Sequence, residues 1–164
     1  MKRSITNKKN FWIKGKSRCE YLVPNVVENI GFEIFVNGIY EEDTSGFIIR
    51  NLPANAVFLD LGANIGAITI PVLSKRRDIK ILCVEAAPWI YEYLKQNLAR
   101  NKGDNVSAFN KALFYTDNEI VNFYSPDEKF GKGSMSPVFT DKVIPVSTGK
   151  LDTLLKDYNY LSTK

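Results

Sequence analysis

Histidine is absent from the 164 residues of this chain. That absence removes the commonest general base, the commonest zinc ligand and every Ser-His or Cys-His nucleophilic pair. Any chemistry must rest on carboxylates, lysines, tyrosines or a bound cofactor, and no metal site is expected. Cysteine is almost absent: Cys19 and Cys83 are the only two. They make no disulfide framework, and Cys83 falls in an apolar run that reads as a buried strand with an inert core thiol. No apolar stretch approaches the roughly 18 residues a membrane-spanning helix needs. The basic start is not followed by the apolar region of a signal peptide. A reduced, cytoplasmic protein with no membrane span is the expectation, in which the Asn105-Val106-Ser107 sequon carries no meaning.

Acidic residues are missing from the first 18 positions, which hold seven cations: Lys2, Arg3, Lys8, Lys9, Lys14, Lys16 and Arg18. The remainder carries 15 basic and 18 acidic residues. The positive balance is therefore a property of an N-terminal arm, residues 1–18, ahead of one domain over 19–164. Such an arm is ordinarily a solvated terminus, and its functional alternative is attraction to a phosphorylated glycan or a membrane surface. The body lacks a basic stripe interleaved with aromatics, so nucleic acid is not an expected partner.

What is present centres on VFLDLGANIG, Val57 to Gly66. Val57, Phe58, Leu59 and Leu61 read as a buried strand interrupted by Asp60. Gly62, Asn64 and Gly66 mark a tight turn, and Ile65 to Lys75 reads as a helix that Pro71 should kink. A strand, a glycine loop and a helix together bring backbone N–H groups against a nucleotide-like ligand. A second strand, Ile79 to Val84, ends at Glu85. That carboxylate follows the loop by about 20–25 residues, the usual spacing for an acid that bonds a ribose diol. Pro88 suits the first position of a helix from Trp89 to Asn101, with Ile90, Leu94 and Leu98 on one buried stripe. Val106 to Phe109 reads as a third strand, completing β-α-β-α-β with crossovers long enough for a parallel sheet.

The flanks are read by local pattern. Phe11 to Ile13, Tyr21 to Val23 and Phe32 to Val36 predict two or three short strands over an edge of the main sheet. Glu41 to Ser45 reads as a cap before a short helix or turn, Gly46 to Leu52, that Pro53 ends. Lys111 to Tyr115 and Glu119 to Tyr124 flank Thr116-Asp117-Asn118 as an antiparallel hairpin. Ser125 to Ser136 reads as a loop, Lys142 to Ser147 as a strand, and Leu151 to Tyr158 as a short helix.

The runs DLGANIG, VEAAP and NLARNKGDNVSAFNKAL, with the hairpin, Gly133-Ser134 and Val146 to Leu155, resemble the FkbM family of S-adenosylmethionine-dependent methyltransferases over residues 40–158. The resemblance implies an α/β, Rossmann-like methyltransferase sheet with N-terminal β-strands and an inserted hairpin. It implies S-adenosylmethionine as cofactor, with Asp60 facing its ammonium group and Gly62 and Gly66 admitting the backbone close to the methionine part. Ala63 and Asn64 would donate loop N–H groups. Glu85 would take the ribose hydroxyls with Ala86 near the sugar, and Asn110 would lie at the adenine edge. The implied reaction is O-methylation of a small-molecule or glycan hydroxyl, and no catalytic residue is assigned. Glu41, Glu42, Asp43 and Ser134 are weak candidates for contact with the acceptor. The family pattern has Pro one residue after the acid, whereas Ala86 and Ala87 precede Pro88 here. The family's Lys-x-Asp-x-Glu-Gly strand after the counterpart of Leu151–Leu155 has no match, so the sheet is expected to be incomplete. An unpaired edge on the first strand would then favour oligomerisation, or a non-catalytic cofactor-binding module completed by another chain. A nicotinamide oxidoreductase fits less well. Asn64 stands where the second glycine of G-x-G-x-x-G would be, and Asp60 would repel a phosphate pair.

Overall fold

A computed structural model describes residues 9–157. Lys2, Arg3 and Lys8 of the basic arm and Tyr158 of the expected last helix lie outside the described residues. Two short strands, β1 (Phe11–Lys14) and β2 (Glu20–Val23), precede two helices, α1 (Asn29–Asn37) and α2 (Glu42–Asn51). The central unit follows as β3 (Val57–Leu61), α3 (Thr69–Lys75), β4 (Lys80–Glu85), α4 (Pro88–Arg100) and β5 (Val106–Asn110). The chain continues with β6 (Ala112–Leu113), β7 (Ile120–Tyr124), β8 (Val143–Gly149) and α5 (Leu151–Asp157).

β3, β4 and β5 form a parallel sheet in that order, a Rossmann-like α/β arrangement. Its register sets Asp60 opposite Cys83 and Glu85 opposite Asn110. One face packs Ile81 and Cys83 against Val72 and Leu73 of α3 and Leu94 and Leu98 of α4. The other buries Leu82 and Val84 beneath Leu154 and Leu155 of α5. Two-sided cover explains why β4 is apolar at almost every position. The outer edge of β3 pairs with no described strand.

Four local expectations change. Phe32 to Val36 is helical, within α1, rather than a strand. Glu28 caps that helix through Oε2, which accepts the Ile30 N–H at 2.8 Å. Gly38 closes it in the left-handed conformation. Gly31, which reads as a strand boundary, sits in α1 at a place where a Cβ would lie 2.0 Å from the Asn25 carbonyl oxygen. Second, α2 starts at Glu42, taking in residues that read as its cap. Third, α3 starts at Thr69 rather than Ile65. Pro71 therefore falls in the first helical turn, where its missing N–H costs nothing and no kink is needed. Fourth, residues 111–124 are not a hairpin. β8 lies between β6 and β7, parallel to the first and antiparallel to the second. The turn at 116–118 is drawn to β8 instead: Asn118 N–H donates to the Thr148 carbonyl at 3.0 Å and Asp117 Oδ1 accepts the Lys150 N–H.

The β1–β2 pair also sits elsewhere than expected. It forms its own two-stranded antiparallel sheet and packs on α4, not on the edge of the main sheet. Two asparagines make this attachment. Asn97 Oδ1 accepts the Leu22 N–H at 2.6 Å, and its Nδ2 donates to the carbonyls of Leu22 and Ile65. One turn later Asn101 repeats the pattern on Glu20, accepting its N–H at 3.0 Å and donating to its carbonyl at 2.6 Å. Four helical residues rise about 6 Å and two strand residues about 6.6 Å, so side-chain amides on α4 can stand in for a neighbouring strand. Asn97 is fully buried. Asn97→Ala would leave three backbone groups unsatisfied and is expected to destabilise the fold by about 3 kcal/mol, read from urea denaturation. Asn101→Ala, at a half-exposed site, should cost less.

Candidate functional site

The C-terminal ends of β3 and β4 open into a pocket of about 350 Å³. Open parallel sheets characteristically bind ligands at this end, where loops and helix starts converge. Of the eight residues singled out from the sequence, Gly62, Asn64, Glu85 and Ala86 line it. Asp60, Ala63, Gly66 and Asn110 do not line it, though Ala63, Gly66 and Asn110 are hydrogen-bonded to segments that do.

Gly62 has φ +90°, and a Cβ there would meet nothing within 4 Å, so glycine is set by the backbone rather than by crowding. Its N–H and that of Ala63 both donate to the Val84 carbonyl, at 2.8 and 2.9 Å. Asn64 also lies in the left-handed region, at φ +53°. Its N–H donates to Glu85 Oε2 at 2.9 Å. The loop N–H groups of Ala63 and Asn64, expected to face a ligand, are thus spent inside the protein. The loop is rigid because its donors are satisfied within the protein.

Glu85 is 6% exposed. It accepts the Ala87 N–H through Oε1 at 2.8 Å as well as the Asn64 N–H through Oε2. Burial pushes its carboxyl above the ordinary carboxylate value, while the backbone bonds from Ala87, Asn64 and Ala86 act downward. Asn110 donates Nδ2 to the carbonyls of Glu85 and Ala86, both at 2.9 Å, fixing the peptide that carries the acid. Ala86 and Ala87 give the chain room to deliver an N–H to Glu85 before Pro88 begins α4.

Asp60 is not among the residues that line the pocket. Its Oδ2 accepts the Thr69 hydroxyl at 2.5 Å, and Thr69 Oγ1 lies 3.1 Å from Cys83 Sγ. Burial raises the Asp60 carboxyl, against the lowering effect of the Thr69 bond. Burial and the neighbouring Asp60 also push the Cys83 thiol up, as suits a core thiol.

The far wall was not legible in the sequence. It comes from residues 123–135, where Phe123, Phe130, Gly131, Gly133 and Met135 face the glycine loop. Asn64 bridges the two walls by donating Nδ2 to the Phe130 carbonyl at 2.8 Å. Asn25 Nδ2 donates to the Glu128 carbonyl, and Trp89 Nε1 to Ser125 Oγ. The signal available beforehand was the pair Gly131 and Gly133. A Cβ at 133 would lie 2.7 Å from the Phe123 ring, and one at 131 would lie 2.8 Å from Glu28 Oε1. The weak acceptor candidates do not reach the pocket. Glu41, Glu42 and Asp43 belong to the start of α2 beside Lys16, and Ser134 Oγ accepts the Ser136 N–H.

No protein-family model matches the chain. Over 69 residues it is 41% identical to methyltransferase sdnD of Sordaria araneosa, covering 42% of this chain and 24% of that protein. Over 102 residues it is 32% identical to the AMB antimetabolite synthetase AmbE of Pseudomonas aeruginosa, covering 62% of this chain and 4% of that protein. The chain therefore spans a minor part of the length of the curated relatives it matches. Among solved structures it is similar to M. jannaschii TYW2 in complex with AdoMet, at 21% identity and a TM-score of 0.48 over 63% of this chain and 44% of that one. Among the described residues no helix is long and apolar enough to cross a membrane, and no cluster of candidate metal ligands occurs.

The Asp60 carboxyl has a folded-state pKa above its unfolded-state value of about 3.9. Its contribution to stability is full below that pH and is lost as pH rises through the folded-state pKa. Asp60→Asn keeps an acceptor for the Thr69 hydroxyl and removes the ionisable carboxyl. Its melting temperature is expected to gain on that of the parent as pH rises from about 4 to 7. Paired thermal melts check this, and a difference independent of pH would refute it.

Proposed function

We propose that this chain is the cofactor-binding part of an FkbM-like, S-adenosylmethionine-dependent methyltransferase whose acceptor is a hydroxyl on a small molecule or sugar. The observation that carries this reading is the buried Glu85 carboxylate lining, with Gly62 and Asn64, one pocket at the C-terminal ends of parallel strands. Identity to a protein named methyltransferase, over 42% of the chain, supports it.

The residues fit such a cofactor. Glu85 has lone pairs beyond the two that its backbone donors use, and these suit a pair of ribose hydroxyls. Ala86 leaves space beside the sugar, and Asn110 keeps the Glu85–Ala86 peptide in place at the adenine side. Gly62 and Gly66 let the backbone approach the methionine part, and Ala63 and Asn64 shape that approach. Asp60 is bonded to Thr69 and does not line the pocket, so the direct contact with the ammonium group expected from the sequence is not assigned to it. S-adenosylmethionine brings a methyl group already activated by its sulfonium, so the work left to the chain is alignment and exclusion of water. Phe123, Phe130 and Met135 provide an apolar wall for that purpose. Glu85 is the one carboxylate among the described residues lining the pocket, and its place is the ribose side, so no catalytic base is assigned.

The open edge of β3 favours a companion reading, in which another strand pairs there and the chain works as part of a larger assembly or oligomer. Leu61, at the end of that edge, is 46% exposed.

Calorimetric titration with S-adenosylmethionine and S-adenosylhomocysteine tests the cofactor assignment. Saturable binding near the micromolar range, about −8 kcal/mol, is expected, with loss in Glu85→Ala. Glu85→Ala also removes a loop tie, so a circular dichroism melt must show the variant folded. No heat from the folded parent protein would overturn the assignment.

A further inference from the structure

The opposite end of the sheet, before β4 and β5 begin, holds a second cavity of about 360 Å³. It is built where the β1–β2 turn meets the carboxyl-terminal ends of α3 and α4. Arg18, Arg77, Arg100 and Lys102 face it, and Glu20 is the single acid. This concentrates positive charge on a domain that carries more acidic than basic residues after position 18.

The charges are not all absorbed locally. Arg100 takes Glu20 as its partner. Arg77 donates to the carbonyls of Asn101 and Lys102, which are neutral acceptors and leave its charge in place. Arg18 and Lys102 make no side-chain ion pair or hydrogen bond among the described residues. Carbonyls at the ends of α3 and α4 account in part for the cations beside them. They do not account for Arg18, which arrives from the β1–β2 turn.

That turn carries an independent signal. The Cys19 N–H donates to the Lys16 carbonyl at 3.0 Å around Ser17 and Arg18, with φ +54° and +62°. Both central residues are left-handed, the geometry of a type I′ turn, for which Asn-Gly is the favoured filling. Lys102 is left-handed as well, at φ +57°. Two cations therefore stand where glycine would relieve the backbone, and both face the same cavity. Ser17 and Ser74 add hydroxyl groups to its walls.

We propose that this cavity is a binding site for a phosphoryl anion, a diphosphate or phosphate monoester of a small molecule. Guanidinium groups offer paired donors that match phosphate oxygens, and the cavity is larger than a single phosphate. It lies at the opposite ends of the strands from the Glu85 pocket, so the proposal stands independently of the cofactor assignment.

Pyrophosphate titrated into the 15N-labelled full chain tests it, with inorganic phosphate as a second probe. The amides of residues 17–19, 74–77 and 100–103 are expected to shift saturably with pyrophosphate, more weakly with phosphate, and less as sodium chloride is raised. The double variant Arg18→Gly, Lys102→Gly removes two cations at positions that glycine fits. Its melting temperature should hold or rise while its pyrophosphate affinity falls by about tenfold or more. Absence of saturable shifts, shifts confined to the Glu85 pocket, or unchanged affinity in the folded double variant would each overturn the proposal.

Discussion

The buried carboxylate of Glu85 ties together the pocket at the carboxyl-terminal ends of β3 and β4. It is set at the end of the central strand of a three-stranded parallel sheet, and no cation is among its hydrogen-bond partners in the described residues. Two backbone N–H groups stabilise it instead, one from the glycine loop after β3 and one from the start of α4. These donors tie the glycine loop to the start of α4 through one carboxylate. Asn110, on the neighbouring strand, completes the frame by donating to the consecutive carbonyls of Glu85 and Ala86. A buried acid in a cavity wall favours hydroxyl donors beside it, and Lys111 lines the same cavity.

Asn64 extends that frame to the other side of the cavity. Its left-handed backbone turns the N–H inward to Glu85 and the side chain outward to the Phe130 carbonyl. One residue thus joins the glycine loop to both the acid and a wall that begins about 60 residues later in the chain. The wall is itself held by Asn25 and Trp89, so loop 125–136 is ordered without a regular element of its own. The same economy appears at the back of α4, where Asn97 and Asn101 replace a missing strand partner for β2. Asparagine suits each task because one side chain carries both a donor and an acceptor in peptide-like geometry.

The two ends of the sheet differ in charge for a topological reason. Parallel strands send all their carboxyl-terminal loops to one end, where Glu85 and the turn after Asp60 lie. The helices return their own carboxyl-terminal ends, with basic residues, to the other. One end therefore offers a buried carboxylate within a backbone frame, and the other offers guanidinium and ammonium groups around an open cavity.

The sequence by itself determined the features that depend on neighbours along the chain. The apolar runs of β3, β4 and β5, the turn at Gly62, the acid at the end of β4 and Pro88 at the start of α4 all follow from local pattern. They place four of the eight singled-out residues on one pocket, and the other four do not line it. Tertiary structure decided what local pattern leaves open. Four apolar residues between two glycines, Phe32, Ile34, Phe35 and Val36, suit a strand or a helix equally, and the caps at Glu28 and Gly38 close the segment as α1. Pro71 constrains a helix only relative to where the helix begins, and the turn through Gly66 moved that start. Two strands beside a short turn need not pair, because β8 reaches in between from a distant segment. The far wall of the pocket, and the meeting of Arg18 with Lys102, join residues whose separation in the chain carries no periodic signal; only the packing of helices on the sheet brings them together.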